Sequence, residues 1–212
     1  MFWEHADIIG IMKLPEIRME YGWHLDNTFT DFYEQIPDRE EKGYTVQNRE
    51  EVKEKISLFE TEWKKYEEKI LESICRILGL EFYKKVIDVY IVGAYKKAFS
   101  TPMVISAKYE PDLFVDIITH ELLHVLLTDN DKNVSVGEIW KEMFPEAIDR
   151  TSLNHVLVHA VHKQIYLDTL NTPERFERDL KRCGKWPSYN DAWNIVEKEG
   201  YLNIIERFKK YY

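Results

Sequence analysis

From Arg49 to Leu78 the apolar residues recur in steps of three and four: Val52, Ile56, Phe59, Trp63, Tyr66, Ile70, Ile74 and Ile77. That spacing lines one face of a helix, so residues 48–79 are expected to form one long amphipathic helix. Asn48 with Glu51 three residues on reads as a capping box, and Gly79 as the C-terminal stop. The other face is Glu and Lys, the composition of a solvated surface. Two β-branched and aromatic runs follow, Val86–Tyr95 and Met103–Tyr109, predicted as strands joined by the turn Phe99–Pro102. Pro111-Asp112 then opens a helix expected to reach Thr128, and a second buried helix is expected from Ser152 to Leu170. Three shorter helices complete the pattern. The first is opened by Thr172-Pro173-Glu174 and stopped by Gly184. The second is opened by Ser188 with Asp191 three residues on and stopped by Gly200. The last covers Leu202–Lys210. Upstream of Tyr44 the chain reads as aromatic and irregular, with turns at Gly22, Asn27, Pro37 and Gly43; only Asp7–Met12 reads as a strand.

This order predicts an α+β fold. A small mixed sheet packs on two buried helices over residues 86–170, with helical extensions at 48–79 and 172–212. The 212 residues suit a single domain with a core that needs no disulfide. Apolar residues at 44% and charged residues at 32% exclude a disordered chain. The longest uncharged apolar runs, Val89–Tyr95 and Leu122–Thr128, fall well short of the roughly 20 residues a membrane span needs. Met1–His5 has no basic leader pattern, so the expected location is cytoplasmic. A net charge of −9, with lysine pairs scattered along the chain, argues against nucleic acid as partner. Two cysteines, Cys75 and Cys183, give no disulfide framework.

Histidine carries the chemical signal. Five of the seven, His120, His124, His155, His159 and His162, lie on the two predicted buried helices. The first helix holds His120-Glu121-Leu122-Leu123-His124, an HExxH string. Residues four apart on a helix differ by about 40° in azimuth, so both imidazoles point the same way and suit one Zn²⁺. Glu121 sits about 100° round, within reach of a water at the ion without being a ligand itself. On the second helix His155, His159 and His162 fall within about 60° of one another. His159 is the favoured third ligand, because it is central and Ala160 beside it leaves room for close helix approach; His155 is the alternative. His162 and Tyr166 are candidates for supporting a ligand or an oxyanion. Asp116, one turn before His120, either accepts the outer N–H of a ligand histidine or sits solvated in the first turn of its helix.

The HELLH string on an apolar helix, after a strand and before a second ligand-bearing helix, resembles the zincin metallopeptidases, most nearly the compact gluzincin-type members such as the minigluzincins. The resemblance covers about Asp88–Asp168. It implies His120 and His124 as zinc ligands, Glu121 as general base, and a third ligand from the later helix. Where gluzincins carry a glutamate in that helix this chain reads Asn154-His155-Val156-Leu157-Val158-His159-Ala160, and Leu127 and Asn130 stand where metzincins place a glycine and a third histidine. The expected function is therefore zinc-dependent hydrolysis of a peptide or protein substrate, with Met103–Tyr109 able to take the substrate as an added strand. The alternative is a non-catalytic zincin-like metal-binding protein acting as a structural or interaction module. The sequence leaves the oligomeric state open.

Overall fold

The computed structural model describes residues 13–42, 44, 46–131 and 136–211. Among them the fold is mixed α+β: nine α-helices and four strands in one sheet. The strand expected at Asp7–Met12 lies outside the described residues. No helix among those described is long and apolar enough to cross a membrane.

The sheet order is β1 (Glu16–Tyr21), β2 (Val86–Val92), β4 (Met103–Ser106), β3 (Ala98–Ser100). The first three strands run parallel and β3 is antiparallel to β4; Val89 pairs with both Met19 and Met103. Val89, Ile91, Val104 and Ile105 are fully buried, as expected of parallel strands covered on both faces. Two expectations change here. The stretch upstream of Tyr44 is not irregular: it supplies β1 and helix α1 (Trp23–Glu34). Asp26 pins α1 to the end of β2 by accepting from Tyr21 Oη at 3.1 Å and from the Ala94 N–H at 2.7 Å. Second, the strand begun at Met103 stops at Ser106 and is paired on both sides, so it offers no free edge to a substrate. β3 is the outer strand on that side.

The long helix is two helices, α2 (Arg49–Trp63) and α3 (Glu67–Leu78), separated by a turn in which the Tyr66 N–H bonds back to Trp63 O. The break lets two faces of different width reach different neighbours. α2 buries Val52, Phe59 and Trp63 and packs on β1, β2 and helix α4 (Pro111–Asn130). α3 buries a broader arc, including Ile70, Leu71, Ile74, Cys75 and Leu78, and packs on helices α6 (Arg150–Gln164) and α9 (Tyr201–Lys209). Both expected caps form. Asn48 Oδ1 accepts from the Glu50 and Glu51 N–H groups while Glu51 accepts from the Asn48 N–H, and Gly79 takes the left-handed conformation at φ 69°. Gly93 answers a different need, since a Cβ there would lie 2.8 Å from the Gln47 carbonyl oxygen.

α4 is buried over most of its circumference, with its start set by Pro111 in the first turn. Helix α5 (Val136–Met143), which the hydrophobic spacing did not reveal, follows it. α6 begins at Arg150 because Asp149 caps it, accepting from the Ser152 N–H at 2.7 Å. Its α-helical turns end at Gln164, not Leu170, and Ile165–Thr169 continue as a π turn. Helices α7 (Pro173–Cys183) and α8 (Pro187–Glu199) precede α9. Ser188 is not the cap of α8, where Trp186 holds that position. Ser188 Oγ instead donates to the Asp149 carboxylate at 2.6 Å, and Asp191 accepts from the Ile148 N–H at 3.1 Å and from Ser152 Oγ. These contacts fasten the start of α8 to the start of α6.

Phe59 stacks on Phe114 with ring centroids 4.0 Å apart, both fully buried, and so joins α2 to α4. Phe59→Ala should destabilise the chain by about 3–5 kcal/mol in urea denaturation. Leu58→Ala, at a side chain 52% exposed, should stay within about 0.5 kcal/mol of the parent.

Candidate metal centre

α4 and α6 pack against each other and bring all five core histidines into one region. His120 Nε2 and His124 Nε2 lie 3.2 Å apart. Two nitrogens bound at 2.0–2.1 Å to one tetrahedral Zn²⁺ are separated by about 3.3–3.4 Å, so this spacing fits a shared ion. The third imidazole at this place is that of His155. Ligand nitrogens of His120, His124 and His155 all lie within 4.8 Å of one another, and the His155 ring centroid is 5.2 Å from that of His120 and 5.0 Å from that of His124. His155 Nδ1 lies 2.6 Å from the Thr151 carbonyl oxygen. A carbonyl only accepts, so Nδ1 carries the proton and Nε2 keeps a free lone pair in the neutral ring. His120 Nδ1 is buried with no hydrogen-bond partner.

The other two histidines of α6 face elsewhere. His159, the favoured third ligand from the sequence, is fully buried and stacks on Trp193 at 4.4 Å; its ligand atom groups with those of Asp179 and Cys183. His162 is fully buried, with Tyr166 Oη 3.2 Å from Nδ1 and 3.1 Å from Nε2. Tyr166, at 1% exposure, is enclosed with it.

Asp116 follows neither sequence reading. It is buried and accepts from Arg175 Nη1 at 2.6 Å and Arg178 Nε at 3.0 Å, while Asp112 pairs with the same two arginines. Burial works against charge on Arg175, but Asp116, Asp112 and Tyr66 together outweigh it and raise the guanidinium above its ordinary value. This ion-pair group docks α7 onto the first turns of α4.

Burial sets the protonation of the whole cluster. Desolvation, reinforced by the neighbouring imidazoles, lowers His120 well below its ordinary value and His124 to about 3. Desolvation also lowers His155 and His159, and takes His162 to about 4. Neutral imidazole is the form that binds a metal. Glu121, beside His120 on α4, is pushed up to about 8 by burial, against the lowering effect of Arg182.

Glu121 and His120 open on a cleft of about 400 Å³ shared with Arg182, Tyr189, Lys97 and Ala98. Ala98 belongs to the outer strand β3, and the Tyr189 ring lies 4.3 Å from that of His155. His124 lines a second cleft, with Trp140, Arg150 and Asn154. Sequence reasoning missed Tyr189 and Arg182, because no periodicity relates the C-terminal helices to the HExxH string. The i, i+4 spacing of Asp179 and Cys183 was the one available signal that two donors share a face there. Comparison with known protein families, with curated proteins and with solved structures gives no match in any of the three.

A histidine held neutral in the fold and charged in the unfolded chain makes unfolding take up protons. Stability is then whole above about pH 6.5 and falls as pH drops toward the folded-state values. The metal-stripped chain should therefore lose stability as pH falls from about 6.5 toward about 4, and His162→Gln should flatten that slope. Urea denaturation of both proteins across the range measures this.

Proposed function

We propose that this chain is a zinc-dependent peptide hydrolase of the zincin type, with His120, His124 and His155 as ligands and Glu121 as general base. The observation that carries the reading is the meeting of three neutral imidazoles beside a buried carboxyl that opens on a cleft. Zn²⁺, when bound, supplies Lewis acidity and a water acid enough to lose its proton near neutrality. Glu121 takes the proton of the attacking water and passes it to the leaving amine. Tyr189 and Arg182 line the same cleft. Burial raises the Tyr189 hydroxyl, which stays protonated and can donate. Both groups are placed to stabilise negative charge developing on the substrate carbonyl oxygen.

The substrate is an extended segment of peptide or protein. Among the described residues β3 is the outer strand beside the cleft, and its side away from β4 can offer backbone groups to an added strand. Lys96, Lys97 and Arg182 around the cleft favour acidic side chains near the scissile bond. A closed four-donor site would instead suit a structural ion; the HExxH group has three donors among the described residues, which supports the catalytic reading.

Glu121→Gln keeps every proposed ligand and removes the base. Zinc content should stay at the parental level while cleavage of a mixed peptide library falls by about 10²–10⁴-fold. Metal analysis and product detection by mass spectrometry are the measurements, and unchanged turnover in this variant refutes the assignment. His155→Ala should lower zinc retention at this centre, whereas His162→Gln should leave it in place, as equilibrium dialysis against a chelator would show.

A further inference from the structure

One turn beyond His155 on α6, His159 meets two side chains of α7, Asp179 and Cys183. All three are at least 99% buried, and their ligand atoms lie within 4.8 Å of one another. Asp179 and Cys183 are four residues apart on one helix and share a face. Cys183 Sγ stands 3.7 Å from Asp179 Oδ2. A sulfur at 2.3 Å and an oxygen at 2.0–2.2 Å from one tetrahedral Zn²⁺ are separated by about 3.5–3.7 Å, so the spacing fits. A thiol hydrogen bond also accounts for that contact. It does not account for His159, where neither ring nitrogen has a hydrogen-bond partner in a fully buried side chain. Orphaned polar atoms in a dry core are costly, and a cation facing the ring relieves one of the two.

We infer that His159, Asp179 and Cys183 form a second zinc-binding site, separate from the HExxH group, which joins α6 to α7. The donor set has the mixed nitrogen, oxygen and sulfur character that selects zinc over magnesium or calcium. A thiolate and a carboxylate balance the dipositive ion, so the buried assembly carries no net charge of its own. Burial raises Asp179, but Arg182, His162 and His159 together hold the carboxyl below its ordinary range. Burial pushes the Cys183 thiol up to about 12. Binding therefore exchanges the thiol proton, released to solvent, for a sulfur–metal bond. Asp179 also pairs with Arg182, a guanidinium that lines the cleft, so the carboxylate would be shared between the ion and that arginine. The inference does not rest on the hydrolase reading.

Cobalt(II) added to the full, metal-stripped chain separates the two sites. The HExxH group has no sulfur donor, so only the second site gives a near-ultraviolet sulfur-to-cobalt charge-transfer band. The expected result is two equivalents bound per chain with that band present. Cys183→Ser should abolish the band and reduce binding to one equivalent, while Cys75→Ser leaves both unchanged. The His120→Ala, His124→Ala double variant should keep the band at one equivalent, including when the protein has no hydrolase activity. Absence of the band in the parent at saturating cobalt, or its survival in Cys183→Ser, overturns the inference.

Discussion

Burial holds the five imidazoles of α4 and α6 below their ordinary range, and the rest of the molecule is arranged around them. A neutral ring presents one N–H and one lone pair, and in a dry interior each needs an answer. Tyr166 answers His162, and the Thr151 carbonyl answers one side of His155. His120 Nδ1 and both ring nitrogens of His159 have no hydrogen-bond partner among the described residues, while the Nε2 atoms of His120 and His124 face each other at 3.2 Å. Burial and the neighbouring imidazoles keep His120 and His124 neutral, which is the protonation state a metal ligand needs.

Holding such a cluster in place takes fastening at the ends of the helices. α4 is held on one side by the Phe59–Phe114 stack and at its start by the four-residue group of Asp112, Asp116, Arg175 and Arg178. A buried ion pair adds little net stability over an apolar replacement, yet losing one partner leaves an uncompensated charge. It thus fixes where α7 docks more than how firmly the chain folds. The Asp149, Ser152, Ser188 and Asp191 contacts do the same for α8 on α6. Both fastenings are far apart in sequence and close to the histidines in space. They set the positions from which Arg182, Cys183 and Tyr189 reach the cluster.

The parts legible in the sequence are those a short window determines. The capping box at Asn48, the left-handed Gly79, the β-branched run of β2 and the HExxH face of α4 each depend on neighbours within a turn or two. Other features depend on partners the window cannot contain. The turn at 64–66 exists because α2 and α3 cover different neighbours, although their apolar spacing runs on unbroken. β1 reads as polar because Glu16, Arg18 and Glu20 face outward from an outer strand, with only Met19 buried. Asp116 finds its arginines about sixty positions later in the chain. Ser188 and Asp191 have the spacing of a cap, but both are used by α6.

The histidine stripe on α6 shows why spacing alone could not choose a third donor. On a helical wheel His155, His159 and His162 are nearly equivalent, and a central position with Ala160 beside it favours His159. The wheel discards position along the axis, and that coordinate decides the outcome. α4 crosses α6 near its start, so His155 meets the HExxH pair at a place bordered by two clefts. One turn on, α7 and α8 cover the helix, and His159 meets Trp193, Asp179 and Cys183 in the dry core. At the last turn the ring of His162 is taken up by Tyr166 of the π turn. A stripe that looks like three copies of one ligand is three different environments, and a displacement of one turn separates an open, solvent-reachable donor set from a closed one.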